Sequence, residues 1–296
     1  MIDLHLHTHY SDGRLMDGDI AEIRSFCHRI SITDHNTTLW YADHPQASSS
    51  PDILMGCEIT IDRRPDILIY FPNLHSFSNE LEHSLQRIRD NESHIIQKCY
   101  FELGFHDWEE DLPRVFDTEN RIKSARVRDL AAILYQKRTN QIVSCDYFEH
   151  EDLMLARKQR RQHGVNELDL HIDEPYSIAK SFHGIPVLPH PIRTAMRWEA
   201  TPKKACDSLL KLLDDFSSHD GHIIEYEFLS DDFIYRHGVY NEISKFRSII
   251  RTFADTNNMF FTISSDAHSF DDILSYKKWY QKEICTSSIK ERLFFD

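Results

Sequence analysis

The sequence predicts an α/β fold of parallel strand–helix units over residues 1–75 and 178–296, interrupted by a mainly helical insertion over 76–177. Three observations carry this. Short β-branched runs alternate with helical apolar spacing in both outer segments, the pattern of parallel βα units. The middle segment has long polar-rich helical stretches and few β-branched runs. The apolar strands of the outer segments end again and again in His, Asp or Glu.

In chain order, residues 1–7 (MIDLHLH) read as a strand and 18–29 as a helix by apolar spacing. Strands come next at 29–33, 53–61 and 67–71 (ILIYF), the last closed by Pro72. The insertion reads as helices over 78–102, 124–137 and 148–162. Its basic run, Arg157-Lys158-Gln159-Arg160-Arg161, reads as a solvated helix face in preference to a phosphate-contacting surface. The alternation resumes with a strand at 185–188, a helix at 206–216, a strand at 223–228, a helix at 241–256 and a strand at 260–264. Only eight glycines are present and none forms a phosphate-cradling loop, so nucleotide binding of the P-loop or dinucleotide type is excluded.

With 296 residues, 41% of them apolar, the chain supports one large domain or one domain with an inserted module. No apolar run approaches the ~20 residues of a membrane span, and the first residues lack the pattern of a secretory signal. The expectation is a soluble, cytoplasmic protein with no membrane partner. Six cysteines lie scattered without a CxxC pair, which points to reduced thiols and against a Cys-based zinc site. A net charge of −14 argues against non-specific DNA binding. A bound metal would neutralise part of that charge if it is ligand carboxylate.

Strand residues two apart share a face, so His5 and His7 project together from the first strand. Two converging imidazoles can hold one transition metal, with Asp3 expected as a partner behind them. The pattern recurs. Asp12 lies in the turn Ser11-Asp12-Gly13; Asp34-His35 ends the second strand; Glu58 lies in or after the third; His190 and Asp266-Ala267-His268 end later strands. In parallel α/β folds these ends form the active face, and a packed core would not collect such groups without partners.

The motifs DLHLHTHYSDG, ITDHNT, GCEIT, VLPHP and SSDAH, spread over residues 3–268, resemble the signature blocks of the PHP (polymerase and histidinol phosphatase) family of phosphoesterases, in that family's order. The resemblance implies a distorted (β/α)7 barrel holding two or three divalent ions, commonly manganese, iron or zinc. It implies the ligands His5, His7, Asp12, His35, Glu58, His190, Asp266 and His268, with Glu58 bridging two ions and Asp34 behind the ligands. The sequence departs from the pattern at Asp66, where the family usually has histidine; a carboxylate can still take a hard or borderline cation. A histidine usual near the insertion's return is replaced by the stretch around Arg126. Arg126 and Arg193, the latter in a His-Pro-x-Arg stretch, are the candidate phosphate-binding arginines.

The implied reaction is hydrolysis of a phosphate ester, with a metal-bridging hydroxide attacking phosphorus and charge neutralised by metals and a guanidinium. His190 or His268 is the candidate acid for the leaving group. The insertion favours nucleotides or short oligonucleotides as substrates and offers a surface for a protein partner. Two alternatives stand beside this: an amidohydrolase-type metal hydrolase, which also opens on His-x-His, and a degenerate, non-catalytic subunit that docks through the insertion.

Overall fold

The computed structural model describes residues 1–61, 65–74, 76–115, 125–141, 150–163, 173–199, 201–285 and 288–295. The outer segments open with β1 (Ile2–Leu6), α1 (Asp17–Phe26), β2 (Arg29–Ile32), the short helices α2 (Leu39–Asp43) and α3 (Pro45–Ser48), β3 (Gly56–Ile59) and β4 (Ile67–Tyr70). Four longer helices come next: α4 (Asn79–Glu102), α5 (Trp108–Val115), α6 (Val127–Thr139) and α7 (His150–His163). The chain then returns through α8 (Glu174–Ser181), β5 (Ile185–Val187), α9 (Pro191–Trp198), α10 (Pro202–Ser218), β6 (Ile223–Glu227), α11 (Asp231–His237), α12 (Ile243–Thr256), β7 (Phe260–Ser264) and α13 (Phe270–Trp279). The starts of the helices expected at 124 and 148 lie outside the described residues.

β1 pairs parallel with β2, and β6 with β7. Isolated parallel bridges continue the neighbourhood: Ile30 to Ile53, His35 to Glu58, Leu188 to Ile224, and Leu6 to Ala267. One strand breaks the expected all-parallel order. β4 runs antiparallel to both β3 and β5. Its connection from β3, residues 60–66, is too short for the crossover that a parallel partner requires, so the chain turns back as a hairpin. The reversal brings Asp66, at the start of β4, to the edge where the other strands end.

β1, β3, β4 and β6 are buried on both faces, and in β1 and β6 one face is polar. In β1, Ile2, Leu4 and Leu6 join the main apolar core while Asp3 and His5 point the other way. β6 repeats this with Ile224 and Tyr226 against Glu225 and Glu227. One extra residue of β1 lies between Asp3 and Leu6 in its pairing with β2. Such a bulge re-aims the side chains beside it.

A second apolar cluster gathers Ile95, Ile96, Cys99 and Tyr100 of α4 with Leu130 and Ile133 of α6 and Ala156 of α7. The first half of α4 packs Leu81, Leu85 and Ile88 on the main core instead. One 24-residue helix, about 36 Å long, therefore links the two clusters. The basic run of α7 is not a uniformly solvated face. Arg160 is fully buried and its guanidinium meets Glu92 of α4 at 2.6 and 3.3 Å, because its position falls on the packed side of the helix. The described cysteines are free thiols, four of them buried; Cys145 lies outside the described residues. No described helix is long and apolar enough to cross a membrane. The unforeseen helices α2, α3, α5, α8, α9 and α11 span only four to eight residues, too few turns for periodicity to show in the sequence; α13, ten residues long, was not foreseen either.

Candidate metal centre

The strand ends bring nine donors into three overlapping groups: His7, Asp12, His35 and His268; His5, His7, Glu58 and Asp266; and Glu58, Asp66 and His190. In each, the donor atoms lie within 4.8 Å of one another. His7 belongs to the first two groups and Glu58 to the last two. All nine expected ligands are thus brought together, Asp66 included.

The spacings test whether a cation fits. Donors about 2.1 Å from one ion stand roughly 3.0–3.4 Å apart in octahedral or tetrahedral arrangements. His7 Nε2 is 3.2 Å from Glu58 and 3.1 Å from Asp266. His5 Nε2 is 3.2 and 3.4 Å from the same two carboxylates. Asp12 Oδ1 is 3.4 Å from His35 and 3.2 Å from His268. His7 is fully buried, yet neither ring nitrogen makes a hydrogen bond among the described residues, and Asp12 Oδ1 makes none either. A buried imidazole touching two carboxylates without hydrogen-bond geometry fits a ligand better than an ion-pair partner. The donor set, imidazole with carboxylate, suits zinc, iron or manganese.

The protonation balance agrees. Burial alone would raise the Glu58 pKa, but His35 and His5 hold it well below the usual carboxylate range. Burial opposes the charged form of His7, but Asp266 and Glu58 outweigh it and raise its pKa to about 10. Burial pushes His35 down to about 4, against the pull of Asp12 and Glu58. Asp66 is raised by burial and by the Glu58 charge beside it. Charged His5 and His7 offset the carboxylates in the chain alone, and a cation would do the same work at shorter range.

Partners behind the donors set their orientation. The residue behind His5 is Glu225, whose Oε1 is 3.0 Å from Nδ1. It is not Asp3, whose carboxylate instead accepts the backbone N–H groups of Ser265 and His5. That expectation failed because partnership across the strands cannot be read from residues near in sequence. Glu225 also accepts from the Ser264 hydroxyl and the His190 backbone N–H. His190 Nδ1 lies 3.1 Å from Thr194 and Nε2 2.9 Å from Glu58. Asp34 accepts from Thr8 N, Thr8 Oγ1 and Ser11 Oγ, locking the turn that carries Asp12. Gly13 makes that turn possible, since a Cβ there would sit 2.0 Å from the His7 carbonyl oxygen. From α4, Glu82 accepts Thr38 N and Thr37 Oγ1 at 2.7 and 3.1 Å, bracing the loop after His35. Glu82, Glu225 and Glu227 were not foreseen; each looks like an ordinary acid among apolar neighbours.

The two candidate arginines have different settings. Arg193, at the start of α9, bonds Asp266 and Glu227, while its buried Nη2 has no hydrogen-bond partner among the described residues. Glu227 also accepts the N–H groups of Ile192 and Arg193, where a helix N-terminus favours negative charge. Arg126 reaches Ser11 O at 3.4 Å and Asp12 at 3.7 Å, and the neighbouring Arg128 meets Asp12 at 3.1 Å. Both bring α6 to the mouth of the centre. His190 and Asp266 close their strands with φ of 28° and 53°, conformations that cost free energy and gather at functional sites.

No protein-family model matches the sequence, and no curated protein matches it either. Among solved structures, a candidate metal-dependent phosphoesterase from Bifidobacterium adolescentis is 17% identical, with a TM-score of 0.57 over 90% of this chain and 87% of that one. An amidohydrolase from Chromobacterium violaceum, solved with bound sulfate and no metal, is 18% identical, with a TM-score of 0.53 over the same shares. The chain therefore shares one mixed α/β fold with a protein described as a metal-dependent phosphoesterase and with one described as an amidohydrolase.

Proposed function

We propose that the chain is a metal-dependent phosphoesterase of PHP type that hydrolyses phosphate esters of nucleotides or short oligonucleotides. The observation that carries this is the set of three His/carboxylate groups joined through His7 and Glu58. The parallel bridges that link successive strands, and β7 back to β1, support a distorted (β/α)7 barrel with β4 reversed. Helices α4–α7, with their own apolar cluster, support the reading of 76–177 as an inserted module.

His5, His7, Asp12, His35, Glu58, Asp66, His190, Asp266 and His268 would hold two or three divalent ions, manganese, iron or zinc, which when bound supply an activated water and Lewis-acid neutralisation of phosphate charge. The residues of the chain do the rest. Glu225 fixes the His5 ring and Thr194 the His190 ring. The free Nη2 of Arg193 is the donor left for a phosphate oxygen. Arg126 and Arg128 stand where an anionic substrate must enter. His268, one-third exposed, faces that mouth and is the better placed of the two candidate acids, since His190 is buried.

The test is elemental analysis after reconstitution with manganese, followed by turnover of an aryl phosphate with and without chelator. Bound metal with chelator-sensitive turnover is expected; absence of bound metal overturns the reading. The likeness to an amidohydrolase favours one second reading, hydrolysis of amides or lactones. Turnover of those substrates without turnover of phosphate esters would decide for it.

A further inference from the structure

A cleft of about 530 Å³ lies away from the metal centre, between α12 and residues 280–284 after α13. Its floor is Tyr226, which faces outward from β6 while Glu225 and Glu227 on either side face the centre. Arg247 and Arg251, one turn apart on α12, place their guanidiniums 5.4 and 5.3 Å from the Tyr226 ring centre. Arg251 also donates to the Tyr226 hydroxyl at 2.7 Å. Exposed Tyr240 forms one wall, with the hydroxyls of Ser244 and Ser248 beside it.

The charges here are not balanced. The cleft has one lining carboxylate among the described residues, Glu283, and it stands 3.7 Å from Arg247. Arg251 has no carboxylate partner among the described residues. The buried donor Arg247 Nε finds no acceptor among them either. Two stacked guanidiniums could brace α12 alone. That role leaves unexplained why the Arg247 Nε donor is buried unsatisfied in an otherwise acidic protein. Glu283 sits on a single π-helical turn, a feature that recurs at functional sites.

We propose that this cleft binds a phosphomonoester, its phosphate held by Arg247 and Arg251 and its organic part against Tyr240. Paired arginines suit the planar, forked recognition of phosphate oxygens, and the volume falls within the range of small-molecule sites.

Calorimetric titration of the metal-free full-length chain with AMP and with inorganic phosphate tests this. Both are expected to bind, AMP more tightly. Arg251→Gln, a change at an exposed position, should weaken AMP about ten- to a hundredfold, and Arg251→Lys less. His7→Ala, which disrupts the metal centre, should leave binding unchanged. Undiminished binding in Arg251→Gln and Arg247→Gln overturns the proposal, as does no binding to the wild-type chain. Loss of binding in His7→Ala alone also overturns it, by placing the phosphate at the metal centre.

Discussion

The two ends of the candidate metal centre are built in opposite ways. At the deep end, the side chains of His5, Glu58 and His190 are no more than 3% exposed, and both histidines are held by partners from neighbouring strands or helices. At the mouth, Asp12, His35 and His268 are 12–33% exposed and lie in the segments that follow β1, β2 and β7, with Arg126 and Arg128 leaning in from α6. The deep end is preorganised by burial; the mouth is shaped by loops and by an element from the middle of the chain. This division suits a site that keeps a rigid chemistry and adapts its entrance to the substrate.

The largest expected effect removes the residues that join the two ends. His7→Ala or Glu58→Ala should bring metal-dependent aryl phosphate turnover to background and lower bound metal, with the far-ultraviolet circular dichroism unchanged; normal turnover in either variant would falsify the site assignment. Gly13→Ala should damage the mouth selectively. Its Cβ must displace the turn from His7, at about 1–3 kcal/mol of stability by thermal melt, and Asp12 moves with it. Loss of metal from the deep donors in this variant would contradict the division. Asp66→Ala attacks the other end, and elemental analysis should find about one metal equivalent fewer per chain, with Asp66→His restoring it. Equal metal content in all three proteins would remove Asp66 from the ligand set. The smallest effect is at Glu225→Gln, which keeps shape but weakens the hold on His5. Metal affinity should fall by about ten- to a hundredfold in a competition titration, as for other partners behind ligands.

The sequence made the donors legible and their supports obscure, for a physical reason. The candidate ligands sit at strand ends in motifs such as His5-Leu6-His7 and Asp266-Ala267-His268, where position along a strand fixes direction. Supports such as Glu225 act across strands, and pairing across 220 positions leaves no local trace. The strands at 29–33, 67–71 and 260–264 were legible because β-branched runs form them. The reversal of β4 was not, since the same apolar run serves either direction. Asp66 carries the consequence. As the first residue of a parallel strand it would belong at the far end of the sheet, but the reversal brings it to 3.6 Å from His190.

The contact between the first and last strands also constrains how the molecule comes to exist. Asp3 accepts the Ser265 amide across 262 positions, and Leu6 bridges to Ala267. Closing so long a loop is entropically costly, and such contacts slow folding. During synthesis, His5 and His7 emerge long before Asp266 and His268 and wait for them with Glu58. The donor set is therefore incomplete until the stretch that carries His268 has been made, and a shorter nascent chain offers only a fragment of it to passing metal ions.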